Sequence, residues 1–183
     1  IKAKKKVLSI HGVYSEQIGL IHSKSITSLV SNKEKQVLQW ADALTTDSLK
    51  VKIDYKKKLN LEVTHLPAPL DFTKLKNIPK TFQIKNQVIY LGRDSFEKGI
   101  DILKSVEDKI HGKVIYCTNI PWEEAMIELK RSSVLIIPSR IESIPQIIKE
   151  AYYLKIPVIA TNVGGISEII NHNETGIIIP SED

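Results

Sequence analysis

Two carboxylates eight positions apart, Glu142 and Glu150, fall within PSRIESIPQIIKEAYY, residues 138–153. A short apolar strand over residues 134–137 runs into Pro138 and Ser139, and a polar loop then carries Glu142. Pro145 opens a helix, since the first helical position suits a residue without an N–H. Ile147, Ala151 and Leu154 form that helix's buried stripe, with Ile148 on its flank. Glu150 sits at the edge of this stripe, so its charge needs a partner. A second strand, residues 157–160, leads to Asn162-Val163-Gly164-Gly165 and another short helix. Upstream, Arg93 and Lys98 flank a turn that follows a strand over residues 87–91. Paired cations and helix starts at strand ends favour an anion, phosphate above all. An ionised carboxylate accepts hydrogen bonds and donates none.

The elements that must hold these groups alternate along the chain. Residues 6–10 read as a buried strand ending at His11-Gly12. A helical apolar pattern covers residues 21–41, with Ile26, Leu29, Val30, Val37 and Leu38 on it. Residues 43–46 form a strand, and Asp47 or Thr46 caps a helix reaching about Lys58. Residues 61–66 are the next strand, and residues 67–80 have linker composition. The pattern then restarts: strand 87–91, helix from Gly99 to about Asp108, strand 113–117, helix 121–131. Strand and helix in turn predict an α/β fold with a doubly wound, parallel, Rossmann-like sheet. Ligands of such sheets bind beyond the carboxyl ends of the strands. Arg93, Thr118-Asn119, the loop from Ser139 to Glu142, and the loop from Asn162 to Gly165 all follow strand ends and belong on that rim. Two domains are expected, residues 1–75 and 76–183.

Composition narrows the classes. Of 183 residues, 42% are hydrophobic, enough for a real core, and 26% are charged. The longest apolar runs are far too short to span a bilayer as a helix. One cysteine, Cys117, leaves no internal disulfide framework and fits a reducing cytoplasm. No Cys/His cluster has metal-ligand spacing. The net charge is +5, with lysines bunched at Lys4–Lys6 and Lys56–Lys58. The plain reading is a solvated basic face. The sharper one is peripheral contact with anionic lipid at the inner face of the membrane. Nucleic acid is not expected, because no aromatic residues interleave a basic groove.

A Glu, seven residues, a second Glu, placed after a strand ending in Pro-Ser, resembles the hallmark of glycosyltransferase family 4, retaining enzymes of the GT-B fold. Gly164, Gly165 and Glu168 match the family's Gly-Gly-x-x-Glu turn. Tyr90-Leu91-Gly92-Arg93 through Glu97-Lys98-Gly99 resembles its strand-Gly-Arg … Glu-Lys-Gly turn. The likeness is good over residues 88–180 and looser before. It implies a nearly complete C-terminal donor domain lacking its last helices, after the tail end of an N-terminal acceptor-side domain. The chain is therefore expected to be part of a longer enzyme.

The same resemblance implies the roles. Arg93 and Lys98 clamp the diphosphate of a nucleotide sugar, Glu150 accepts from the ribose hydroxyls, and Glu142 meets the donor sugar. Backbone N–H groups of Ser143 and Ile144 lie beside sugar and phosphate, and Gly164 and Gly165 shape the neighbouring turn. Asn119 and Ile120 contact the base, and His11 faces the sugar from the first domain. Trp122 is read as packing and left out of the site. Ser143 and Pro145 depart from the family's commoner Gly-Phe, and Thr118 replaces a Gly, so neither sugar nor base is specified. The implied reaction transfers a sugar, with retention, from a nucleoside diphosphate sugar to a glycan, lipid or small-molecule acceptor, with no metal or other cofactor. The rival readings are a GT-B nucleotide-sugar epimerase and a non-catalytic nucleotide-sugar-binding module. The plain reading of each residue stands beside these: surface cations at Arg93 and Lys98, a helix-surface Glu150 paired to Lys149 or Lys155, a tight turn at Gly164-Gly165, and a hydrogen-bonded structural His11.

Overall fold

A computed structural model describes residues 4–12, 14–19 and 23–181. They form two compact units, residues 1–68 and 69–183. The division falls at Ala68/Pro69 rather than at 75/76. Leu75 and Ile78 are buried in the core of the second unit and carry the preceding residues with them.

In the first unit three parallel strands lie in the order β1 (Val7–Ile10), β2 (Ala43–Thr46), β3 (Thr64–His65). Helices α1 (Tyr14–Gly19), α2 (Lys24–Leu38) and α3 (Leu49–Leu59) connect them. The expected helix start at Ile21, and His22, lie outside the described residues. On α2, Leu38 is buried, whereas Ile26, Leu29 and Val37 are exposed. Neither Thr46 nor Asp47 caps α3. Ser48 does, its hydroxyl accepting from the Val51 N–H at 3.2 Å. The strand expected over residues 61–66 shrinks to two residues. The Leu61 N–H is spent on the Tyr55 carbonyl at the helix end, and Pro67 follows directly. Ile10, Leu44, Val51, Tyr55 and Val63 fill the core between sheet and helices.

The second unit has five parallel strands: β4 (Gln87–Leu91), β5 (Lys113–Cys117), β6 (Val134–Ile137), β7 (Val158–Thr161) and β8 (Ile177–Ile179). Their order is β5-β4-β6-β7-β8. The chain steps outward from β4 to β5, then returns to lay β6 on the other side of β4. That reversal makes the β4 and β6 ends the topological switch point of the sheet. Val88, Ile89 and Tyr90 on β4 are all buried, as befits a parallel strand covered on both faces.

Around the sheet lie α4 (Phe72–Lys76), α5 (Ile100–Ser105), α6 (Trp122–Arg131) and α7 (Gln146–Tyr153). The residues read as linker thus include a short helix, capped by Asp71. The helix expected from Gly99 to Asp108 is broken into α5 and 3-10 turns on either side. Pro145 is the N-cap of α7, one position earlier than expected. The centre of α7's buried face is Ile148 and Ala151, both fully buried. Ile147 and Leu154, expected at that centre, are half-buried on its flank. After Gly165 there is no second helix, only a 3-10 turn, Ile166–Glu168. One of the two helix starts expected for anion binding is therefore a single turn, with too few aligned N–H groups for a helix dipole.

Candidate donor site

Two glycines bind the rim loops together. Gly99 has φ +65°, and a Cβ there would lie 1.9 Å from the Pro138 carbonyl oxygen. Gly164 has φ +56°, and its Cβ would lie 1.8 Å from the Glu142 carbonyl oxygen. Left-handed backbone and close backbone approach both demand glycine. The turn after β4 is therefore pressed on the loop after β6, and that loop on the turn after β7. Hydrogen bonds continue the contact: Gly165 N–H to the Ser143 carbonyl at 2.7 Å, and Arg140 N–H to the Glu97 carbonyl at 2.9 Å.

Within these loops Lys98 and Glu142 meet, Nζ to Oε1 at 2.6 Å, both largely shielded from solvent. The Ser139 hydroxyl donates to the same carboxylate oxygen at 2.8 Å. The cation assigned to the diphosphate and the carboxylate assigned to the sugar thus face each other directly. Ser143 is buried beside them, and Ile144 is half-buried. Arg93 is held from behind, since the buried Tyr90 hydroxyl donates to its carbonyl at 2.7 Å. Burial, reinforced by Asp94, Glu142 and Glu97, pushes the Tyr90 phenol up to about 12, so this tie persists through neutral pH. The Arg93 guanidinium is mostly exposed and pairs with Glu97 at 3.0 Å. Glu97's carboxyl is held below its usual range, first by its own backbone N–H, with Ser95, Arg93 and Lys98 adding.

Arg140 braces the switch point. Its guanidinium makes a two-pronged pair with Asp101 at 2.7 and 2.8 Å, donates to the Phe96 carbonyl and lies 4.0 Å from the Phe96 ring centre. The hydrogen bond from Arg140 holds the Asp101 carboxyl below the ordinary range.

Beside this cluster a cavity of about 380 Å3 is lined by Gly92, Arg93, Asn119, Ile120, Trp122 and Glu150, with Ile147 and Cys117 at its wall. Four residues singled out from sequence, Arg93, Asn119, Ile120 and Glu150, therefore share one hollow. Asn119 takes a left-handed conformation, φ 56°, which Asn tolerates better than most residues. Burial pushes the Cys117 thiol up, so it acts as wall rather than nucleophile.

Glu150's partner is neither Lys149 nor Lys155 but the Trp122 indole N–H, at 2.8 Å to Oε1. Trp122 thus belongs to the site from which sequence reasoning omitted it. The usable signal was its place after a strand end, at the start of a helix on the same rim. His11 lies in the other unit, at the end of β1, with Ser9 Oγ 3.3 Å from Nε2 and Asp47 Oδ2 3.6 Å from Nδ1. Together with Glu34 and Tyr55 it lines a largely apolar cavity of about 770 Å3. Among the described residues no group of three or more His, Cys, Asp or Glu side chains could hold a metal ion, and no helix is long and apolar enough to cross a membrane.

Residues 104–183 match the family model described as "Glycosyl transferases group 1". The 2-deoxystreptamine N-acetyl-D-glucosaminyltransferase of Niallia circulans is 27% identical over 144 residues, covering 62% of this chain and 37% of that protein. Among solved structures, sucrose-phosphate synthase of Thermosynechococcus elongatus superposes with a TM-score of 0.76 at 18% identity, over 97% of this chain and 55% of that one. Anabaena Alr3699/HepE, solved in complex with UDP-glucose, gives 0.68 at 14% identity, over 97% of this chain and 58% of that one. The chain thus spans between about a third and three-fifths of the length of these proteins. From residue 104 onward its sequence is similar to that of the glycosyl transferases group 1, and its fold is α/β of GT-B type.

Proposed function

We propose that the protein transfers a sugar from a nucleoside diphosphate sugar to a glycan, lipid or small-molecule acceptor, with retention of configuration. The observation that carries this reading is the single hollow lined by Arg93 and Glu150, next to the Lys98–Glu142 pair at the switch point of the sheet. In this reading the base lies against Asn119 and Ile120. Glu150 accepts from the ribose hydroxyls, and Arg93 and Lys98 hold the diphosphate. The same two cations stabilise the charge that grows on the leaving group, so the chemistry needs positioning and electrostatics, with no metal. Glu142 meets the donor sugar, and the departing phosphate takes the acceptor's proton. HepE's UDP-glucose complex supports a nucleotide sugar as the donor class. Work at the cytoplasmic face of a membrane is part of the proposal, supported by the exposed lysines Lys56, Lys57 and Lys58 in the last turn of α3.

The test is calorimetric. Glu150→Ala removes a charged acceptor and is expected to weaken nucleoside diphosphate binding by about 1.5–3 kcal/mol. Turnover of radiolabelled UDP-, GDP- and ADP-sugars on lipid and glycan acceptors is expected to fall with it. Unchanged affinity in Glu150→Ala contradicts the ribose assignment.

A further inference from the structure

The Trp122 ring stands between two hollows. It and Glu150 line the 380 Å3 cavity on one side, and on the other a smaller one of about 210 Å3 bounded by Asp71, Lys74 and Leu75. The pair is therefore a shared wall, built from the first residue of α6 and the fifth residue of α7, 28 residues apart in sequence. Trp122 itself is half-buried and packs against the main core of the unit, as does Ile147 one turn before Glu150. Its ring cannot swing away without opening that packing. The indole N–H is a donor and nothing else. Among the described residues it is the hydrogen-bond partner the structure gives to the Glu150 carboxylate.

A carboxylate has two oxygens and about four acceptor directions. One direction on Oε1 is taken by the indole. With that bond made, the free rotation of a three-torsion side chain is curtailed, and the remaining acceptor directions are held in one orientation beside the cavity. A vicinal diol has two O–H donors at fixed separation, so its recognition depends on that orientation. A monohydroxyl or deoxy sugar gains far less from it. We propose that Trp122 is a positioning residue. Its indole N–H fixes the Glu150 carboxylate so that the site reads the 2′,3′-diol of a ribonucleotide, a role that rests on the ribose assignment made above for Glu150.

The consequence is a change in discrimination. Trp122→Phe keeps an aromatic ring in most of the same packing and deletes the N–H. UDP, GDP and ADP are titrated calorimetrically, each beside its 2′,3′-dideoxy counterpart, against the wild type, Trp122→Phe, Glu150→Ala and the double variant. The wild type is expected to prefer the ribonucleotide. Trp122→Phe is expected to cut that preference roughly five- to tenfold, chiefly by weakening the ribonucleotide. In the Glu150→Ala background the same change is expected to leave the ratio where it was. A merely structural Trp122 would weaken both nucleotides alike and leave the ratio intact. Thermal midpoints within a few degrees of wild type identify folded variants, and Trp122→His, which restores a ring N–H, is expected to recover part of the ratio. A wild type that binds none of the six nucleotides overturns the donor-site reading and this inference with it. A wild type that prefers ribonucleotides, beside a Trp122→Phe variant with an unchanged ratio, overturns this inference alone.

Discussion

Neutralising Glu142 should tighten nucleoside diphosphate binding while abolishing sugar transfer. Glu142 Oε1 accepts from Lys98 at 2.6 Å and from Ser139 at 2.8 Å, and only about a tenth of the Glu142 side chain is exposed. Glu142→Gln keeps an oxygen for both donors and keeps the side chain's volume, so the loop geometry survives. The charge does not. A diphosphate coming to Lys98 must settle next to that carboxylate. At ~6 Å and an effective dielectric constant of ~20, each unit of phosphate charge meets about 3 kcal/mol of repulsion. The rim is open to water and salt, which screens most of this. A net relief of about 1–1.5 kcal/mol remains, roughly a tenfold gain in affinity. The assay is calorimetric titration of UDP, GDP and ADP at low and moderate ionic strength, with the gain shrinking as salt rises. Transfer from the full nucleotide sugar is measured in parallel, and it should fall because the sugar loses its anionic partner. A Glu142→Gln protein that binds nucleoside diphosphates no better than wild type would refute the competition between carboxylate and phosphate for Lys98.

Two further outcomes follow from the rim's packing. Gly99→Ala places a Cβ where the backbone φ is +65° and the Pro138 carbonyl oxygen is 1.9 Å away. The expected loss is about 2–4 kcal/mol in urea denaturation at unchanged m-value, and a loss under 1 kcal/mol would show that the two loops do not depend on this contact. Asp101's carboxyl is held low by Arg140, so the pair's contribution is full above the unfolded carboxylate range near pH 4 and is lost as pH falls through the folded value. Asp101→Asn is therefore expected to flatten the acid limb of a melting-temperature profile between pH 2 and 6. Because the Asp101 side chain is 53% exposed, its cost at neutral pH is under about 1 kcal/mol. Parallel acid limbs in the two proteins would contradict the assignment.

Much of the second unit was legible in one dimension. Strands at residues 87–91, 113–117 and 134–137 are apolar runs closed by Gly, Pro or polar residues, and the structure pairs all three in parallel. Elements failed where local chemistry was ambiguous. Ser48, not Thr46 or Asp47, caps α3, because three adjacent residues could each supply the oxygen and only chain direction selects one. The β8 edge strand, Ile177–Ile179, is an apolar run of only three residues, and its pairing with β7 is long-range. The second helix start vanished because three residues after Gly165 complete a 3-10 turn and no more.

A linear pattern of apolar strand, polar loop and helix is enough to set which residues stand on the carboxyl rim, since strand direction is the same for every strand of a parallel sheet. Arg93, Asn119, Glu142 and Gly164 needed nothing else to be placed there. Who faces whom on that rim depends on strand order, and nothing local encodes it. Because β6 returns to the side of β4, Lys98 meets Glu142 across 44 residues and Arg140 meets Asp101 across 39. The packing of α6 beside α7 brings a tryptophan that looked like filling to Glu150, 28 residues away. Such pairings are made by rotamers and packing, which exist only once the sheet has closed its order.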